Sequence, residues 1–439
     1  MSNSLSNKDM TVIVIGAGVA GLFVAEQLSD VVVLEASQRP GGRISTQHGK
    51  DGVEFERGPW RIAETHKRAI ALCKRLGIDT HASTTPPTLA PAPKAIRGLS
   101  IWDTAVLATE SPARADQMDR ETTYANETFA ASGSSPYIDE SLNYRIVTDG
   151  MDQITNTLAE RARANGAQIH YNTRVCNVKR TSSHYTVETQ VRDGHNNFRR
   201  RVFRAERVVV CAPPHAWGDW DVSKRCRSVL YAVQSESLHH IYAKGDQAPR
   251  RHVKSGLFGQ RIPSQYGNDW YQVSYSAGRL ADFWNRLRQS RPKDFTRLLG
   301  RTARSFYWPR AFHMWRPVFN FNLKHAVRMS IEPNPTELPG LYMAGESHSS
   351  HQAWIEGALE TAEMVLHRME SPASWPAAPR EWVVVDGWVL DVRRWKRVHP
   401  GSAAAIENHL GEDVSDLFRH ILHSHNAWAT VHSLKIKPN

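Results

Sequence analysis

Three groups of residues in this sequence have the types and spacing to do chemistry. The first is Gly16, Gly18 and Gly21, set as G-x-G-x-x-G directly after the β-branched run 11–15. The first glycine lets the chain turn tightly, the second lets backbone approach a pyrophosphate, and the third lets helix and strand pack closely. A helix starting here aims free N–H groups and a positive dipole end at phosphates. Glu35 ends the next apolar run, "VVVLEA", 19 residues after Gly16, where a carboxylate meets ribose hydroxyls. Together these residues read as a dinucleotide site. The second group is Gly58-Pro59-Trp60-Arg61, which sets a guanidinium beside an indole. The third is the tail, where His399 opens a His-Pro-Gly turn inside "RRWKRVHPGSAAA" (393–405) and His423 follows.

The elements that must position these residues follow from pattern. Residues 11–36 read strand, turn, helix, strand. "THKRAIALCKRLGI" (65–78) and "GMDQITNTLAERARANG" (150–166) have helical periodicity, and "RVVVCAPP" (207–214) and "GLYMAGE" (340–346) read as buried strands. "AWIEGALETAEMVLHRM" (353–369) is a helix, and the proline-rich "SPASWPAAPR" (371–380) is a linker. At 439 residues and 41% apolar content the chain is long enough for two or three domains with a buried core. No apolar run reaches membrane-spanning length, and "MSNSLSNKDM" carries no apolar signal core. Cys73, Cys176, Cys211 and Cys226 lack metal or disulfide spacing, which fits a reducing, intracellular or cytoplasmic setting. The net charge of +11 is dispersed, with short runs at "FRRRVFR" (198–204) and "RRWKR" (393–397). It reads as a solvated basic surface, with no specific nucleic acid expected.

The residues after Glu35 sharpen the cofactor. "LEASQRPGGRI" (34–44), "TDGMDQI" (148–154), "NTRV" (172–175), "VVVCAPP" (208–214) and "LYMAGESHSSHQAWIEGALETAE" (341–363) resemble, in order, the flavin-containing amine oxidases: monoamine, polyamine and L-amino-acid oxidases. The resemblance implies an α/β fold with a Rossmann-like FAD-binding domain and an interleaved α+β substrate domain. The FAD domain would be discontinuous, over 1–95, 145–235 and 330–370, and the substrate domain would take 96–144 and 236–329. Non-covalent FAD would be held by Gly16, Gly18, Gly21, Glu35 and Gly58, with Arg43 on the pyrophosphate. Val175 would place backbone on the adenine and Glu346 would meet the ribityl chain. Backbone around Trp354 and Ile355 would lie at the pyrimidine side.

The resemblance also implies a reaction, in which a hydride leaves the carbon bearing a neutral amine for flavin N5 and the imine hydrolyses. The protein orients the amine and excludes water. Trp354 occupies a family aromatic position, and Trp315 is either the opposite wall or a core residue. "FERGPWRIAETHKRAI" (55–70) resembles the block whose arginine binds substrate carboxylate in L-amino-acid oxidases. Arg61 therefore either forks a carboxylate or pairs structurally with Glu54, Glu56 or Glu64. The family's lysine, which holds a water against the flavin, falls at Leu238 or His239 in "SESLHHIYAKGD" (235–246). His239 and His240 are its candidate substitutes.

Residues 381–439 resemble a cytochrome b5-like domain, through Trp382, Asp386, Gly387, Val389, Asp391 and Val392, then His399-Pro400-Gly401, then Gly411, Asp413, Ser415 and Phe418, then His423-Ser424. The resemblance implies a small α+β unit whose His399 and His423 bind the iron of haem b from opposite faces. Trp395, Ile406, Phe418 and Leu422 would line the pocket. Ser402 replaces the family's second turn glycine, and a linker replaces its opening strand and helix. A haemless unit kept for packing or partner binding is the other reading. The expectation is FAD-dependent oxidation of a small amine or α-amino acid, with electrons passed to oxygen or through haem to an external acceptor. The alternatives are a related FAD enzyme acting on C–C bonds, such as a desaturase, and a non-catalytic binding protein that keeps the folds. Oligomeric state is left open.

Overall fold

Two runs of buried β-branched residues start the fold. In the computed structural model β1 (Met10–Ile15) and β2 (Val31–Leu34) pair in parallel, from Val12↔Val31 to Ile15↔Leu34. The structure describes residues 10–49, 54–83, 143–370 and 381–434, with interruptions at 194–196, 218–219, 246–261, 264–269, 317–322, 336, 386–387, 401–402, 411, 413 and 421–424. Helix α1 (Val19–Gln27) connects β1 to β2. Parallel strands need cover on both faces, and the alternation of side chains supplies it. Val12, Val14 and Val33 join a core with α1, α2 (Lys67–Leu76), α3 (Asp152–Ala164) and the helix Ile355–Glu370. Ile13, Ile15, Val32 and Leu34 join a second core with Tyr185, Trp217 and Trp220. Each buried Val or Ile contributes about 1.5–3 kcal/mol.

The sheet continues through β3 (Gln168–His170), β4 (Thr173–Arg180), β5 (Tyr185–Arg192) and β6 (Phe198–Val210), in the order β3-β2-β1-β6-β5-β4. β6 does two jobs. Its first part runs antiparallel to β5, from Arg192↔Phe198 to Tyr185↔Ala205. Its last part lies parallel to β1 and to the strand Leu341–Met343. That arrangement puts the glycine turn after β1 and the residues that follow Met343 on either side of the end of β6.

A second sheet is antiparallel. It orders β8 (Ile262–Pro263), β9 (Trp270–Ala277), β7 (Val233–Lys244) and β10 (Arg304–Trp315) as β8-β9-β7-β10. One face of β7 presents Ile241 and Ala243 to α4 (Gly278–Ser290) and α5 (Pro292–Leu299), through Trp284, Phe295 and Leu299. The other face presents Leu238, His240 and Tyr242 to the segment 55–60 and to Trp354. The C-terminal residues form a hairpin, Trp382–Val385 with Trp388–Asp391, and short helices. Their core is small: Val383, Val385, Leu390, Val392, Leu410 and Val431. Among the described residues no helix is long and apolar enough to cross a membrane, and the four cysteines are free.

Candidate functional site

The nucleotide end is built from backbone. Gly16 sits at φ +106°, a conformation that side chains rarely adopt. A Cβ on Gly21 would lie 2.0 Å from the Gly16 carbonyl, so this glycine is what lets α1 press on β1. A Cβ on Gly18 would meet nothing within 4 Å, and the space before the α1 N-terminus is open. This is the cradle a pyrophosphate needs, and the residues present fit FAD. Glu35 is buried, accepting from the N–H of Ala17 at 2.7 Å and of Ser37 at 2.8 Å. Val175 faces the core beneath β4, and its backbone pairs with Thr189.

The second half of the cradle is ionic. Arg43 donates to Glu346 at 2.5 Å and to the Ala311 carbonyl at 2.9 Å. Glu346 also accepts from His313 Nδ1 at 2.8 Å and from the Ala353 N–H at 2.9 Å. Burial pushes the Glu346 carboxyl up, but Arg43 and His313 outweigh it and hold it well below the usual carboxylate range. Gly58 acts through Arg43, because a Cβ there would lie 1.9 Å from the Arg43 carbonyl. Ile355 starts the last helix of this region and is buried.

The face expected to meet the substrate is a layer of rings. Trp354 stacks on Tyr144, with centroids 6.3 Å apart and planes 9° apart, and meets His66 edge-on at 4.6 Å. The Arg61 guanidinium lies 4.0 Å from the Tyr144 centroid and 4.9 Å from that of Trp60. Among the described residues no carboxylate pairs with Arg61. Glu54 is taken by His48, Glu56 by Thr46 and the Met151 N–H, and Glu64 by Arg145. Tyr144 reaches Arg61 because its strand pairs with Ile62–Ala63, through Ala63↔Tyr144.

Two expected site residues stand elsewhere. Trp315 is 2% exposed, packed with Val233 and Val327, and its indole N–H donates to the Ser349 carbonyl at 3.0 Å. The ring facing Trp354 is Tyr144 instead. His239 points to the α4 side, with Nε2 2.6 Å from Ser305 Oγ and its ring edge-on to Tyr307 at 5.6 Å. Strand alternation puts Leu238 on the other face, in an apolar cluster with Phe312 and Met314 that Trp354 packs against. His240 also lies on that face, and its ring meets Tyr275 at 4.8 Å. Tyr144, His66, Tyr275 and His313 carry no sequence signal of their own. Each reaches the site through pairings distant in the chain.

In the C-terminal unit His399 is half-buried, with Trp395 edge-on at 6.3 Å. Ile406 and Phe418 pack against its core. Ser402, Leu422 and His423 lie outside the described residues.

Residues 11–280, more than half of the chain, match the FAD dependent oxidoreductase family, and the chain belongs to that family. Residues 376–436 match the cytochrome b5-like heme/steroid binding domain. Over 79 residues the chain is 43% identical to L-amino-acid oxidase of Mus musculus, covering 17% of this chain and 12% of the relative. Over 81 residues it is 40% identical to flavin-containing amine oxidase B of Mus musculus, covering 18% and 15%. The matched stretches are thus a small part of those relatives' length. The fold is similar to that of putrescine oxidase, with TM-score 0.60, 18% identity, and 83% of this chain and 99% of the other covered. It is equally similar to cyclohexylamine oxidase from Brevibacterium oxydans IH-35A, with TM-score 0.61, 16% identity, and 83% and 100% covered. The mixed α/β architecture is that of the amine oxidase fold, and membership of the FAD dependent oxidoreductase family makes FAD the cofactor of this chain.

Proposed function

We propose that this chain oxidises the C–N bond of small amines, with α-amino acids preferred over plain amines. The observation that carries this reading is Arg61, held between two rings beside Trp354, with no carboxylate of the described chain as partner. Bound FAD supplies the acceptor of the hydride that leaves the carbon bearing the neutral amine. The open turn at Gly16, Gly18 and Gly21 takes the pyrophosphate, with Arg43 neutralising it, and Glu35 takes the ribose. Glu346 meets the ribityl chain, and backbone at Val175, Trp354 and Ile355 frames the two ring ends. Arg61 forks the substrate carboxylate, which fixes where the α-carbon points. Trp354 and Tyr144 make an apolar slot that admits the neutral amine and excludes water.

A second reading concerns the acceptor. Leu238, one of the two positions at which the family's lysine would fall, belongs to the apolar cluster that Trp354 packs against. This favours an acceptor other than oxygen. A haem held by His399 and His423 would take one electron at a time and offer oxygen no open position.

Anaerobic stopped-flow mixing tests both readings. The expected result is that L-amino acids bleach the flavin band faster than the matching amines, and that a reduced-haem Soret band then grows. Flavin that no amine or amino acid bleaches overturns the first reading, and favours C–C chemistry or a binding role. Bleached flavin without a Soret change overturns the second.

A further inference from the structure

In the layer that starts at Trp60, beside Arg61, three buried polar atoms have no hydrogen-bond partner among the described residues: Trp60 Nε1, His240 Nε2 and Gln272 Oε1. Their residues are 6%, 0% and 3% exposed. A buried polar atom left unpaired is costly, and three in one region ask for an explanation.

The three share a layer. β7 pairs with β9 so that His240 lies opposite Tyr275 and Tyr242 opposite Gln272, which puts all four on the site face. The Tyr275 ring meets His240 at 4.8 Å and Trp60 at 6.5 Å. The other neighbour of Trp60 is the Arg61 guanidinium, 4.9 Å from its ring. The layer therefore runs without a break from the carboxylate fork to His240.

The chemistry of the three unpaired atoms is specific. Gln272 Nε2 lies 3.1 Å from His240 Nδ1; with the amide placed so, Nδ1 accepts and the neutral imidazole is assigned its proton on Nε2. The open set is then two N–H donors, on His240 and Trp60, and one carbonyl acceptor, on Gln272. A carboxylate satisfies the donors but faces the Gln272 oxygen with another oxygen. An ammonium group satisfies only that oxygen, and an alkyl or thioether end satisfies none. A primary carboxamide presents an acceptor and a donor on one carbon and meets both needs.

We propose that Trp60, His240 and Gln272 form a subsite for an uncharged carboxamide at the far end of the substrate. It selects amide-bearing amino acids over charged or apolar ones. This rests on the reading of Arg61 as the carboxylate fork.

The test compares anaerobic flavin reduction of the holoenzyme by L-glutamine and L-asparagine with that by L-methionine, L-glutamate and L-lysine. The expected wild-type preference for L-glutamine over L-methionine in kcat/KM is at least about tenfold. In His240→Phe and in Gln272→Leu the ratio falls towards one. Equal wild-type rates for glutamine and methionine overturn the subsite, whatever the variants do. So does a ratio that both variants, with flavin retained, leave unchanged. Thermal melting of the same holoenzyme with each amino acid separates this idea from the reaction itself. If no amino acid reduces the flavin, a melting increase with L-glutamine that L-methionine does not give still supports the subsite, while the proposed reaction falls. No selective increase then overturns the subsite too.

Discussion

The guanidinium of Arg61 lies 4.0 Å from the centre of the Tyr144 ring. A cation over a ring is held by the ring's quadrupole, for about 0.5–2 kcal/mol, and needs no carboxylate to stay in place. Its hydrogen-bonding edges are then left for a ligand. Arg61→Lys keeps the charge and loses the planar fork. The expected outcome is a shift of about 1.5–3 kcal/mol in the preference for an α-amino acid over its decarboxylated amine. Steady-state kcat/KM for the two substrates measures it, and an unchanged ratio would show that Arg61 does not hold the carboxylate.

Two glycines of one motif separate cofactor binding from folding. Gly18 has φ −75°, which alanine adopts freely, and an added Cβ meets nothing within 4 Å. Gly18→Ala is expected to change the stability of the FAD-free protein by less than about 0.5 kcal/mol, while loosening FAD at least about tenfold through contact with the pyrophosphate. Gly21→Ala drives a methyl into the Gly16 carbonyl and should destabilise the FAD-free protein by about 1–3 kcal/mol. Urea unfolding without FAD, together with flavin fluorescence titration, distinguishes the two.

Glu346 makes stability depend on acidity at low pH. Its carboxyl is depressed when folded, so its contribution is complete above the ordinary value of 4.5 and is lost as pH falls below it. Glu346→Gln should remove this acid limb and cost about 3–5 kcal/mol at neutral pH, since Arg43 and His313 lose their partner. Denaturation midpoints from pH 7 to 3 test it. A variant with the wild-type acid limb would show that the charge pair is not what sets it.

Four buried histidines act in an earlier window. Burial pushes His66, His239 and His348 down to about 4, and His240 to about 3. The unfolded chain takes these protons near pH 6.5 and the folded chain does not until about 4, so stability falls as pH drops between the two. Each contributes on the order of 3 kcal/mol to that loss. Replacing His239, which lies away from the site, by Gln should flatten the pH 6.5 to 4 slope of the unfolding midpoint. An unchanged slope would mean that other groups set it.

What was legible in the sequence is what is local. The glycine turn and Glu35 lie within one strand-helix-strand unit, so spacing alone places them. Arg43 and Gly58 were placed by the resemblance of their blocks to the amine oxidases, and the close approach of Gly58 to the Arg43 backbone is not visible from spacing. The choice between His239 and His240 was not legible, because β7 is buried continuously from Ser237 to Ala243. With both faces covered, no alternation marks which side meets the helices and which the cluster with Trp354. Only pairing with β9 and β10 decides it. The wall opposite Trp354 was missed for a related reason. Tyr144 enters through a strand pairing with residues 62–63, and nothing near Tyr144 in the chain announces it. Trp315 looked equally able to line a slot, but the Ser349 carbonyl takes its N–H and holds it in the interior.

The double pairing of β6 has a consequence for how the protein is made. Its C-terminal half lies between β1, among the first residues described, and the strand Leu341–Met343. Glu346 and Arg43 meet across the same span, 303 residues apart. A chain leaving the ribosome at about 5–20 residues per second therefore exposes one edge of β6 until residue 343 emerges. The Arg43–Glu346 pair cannot form before Glu346 follows. Flavin supply late in synthesis, rather than at its start, would then set how much of the newly made chain escapes aggregation.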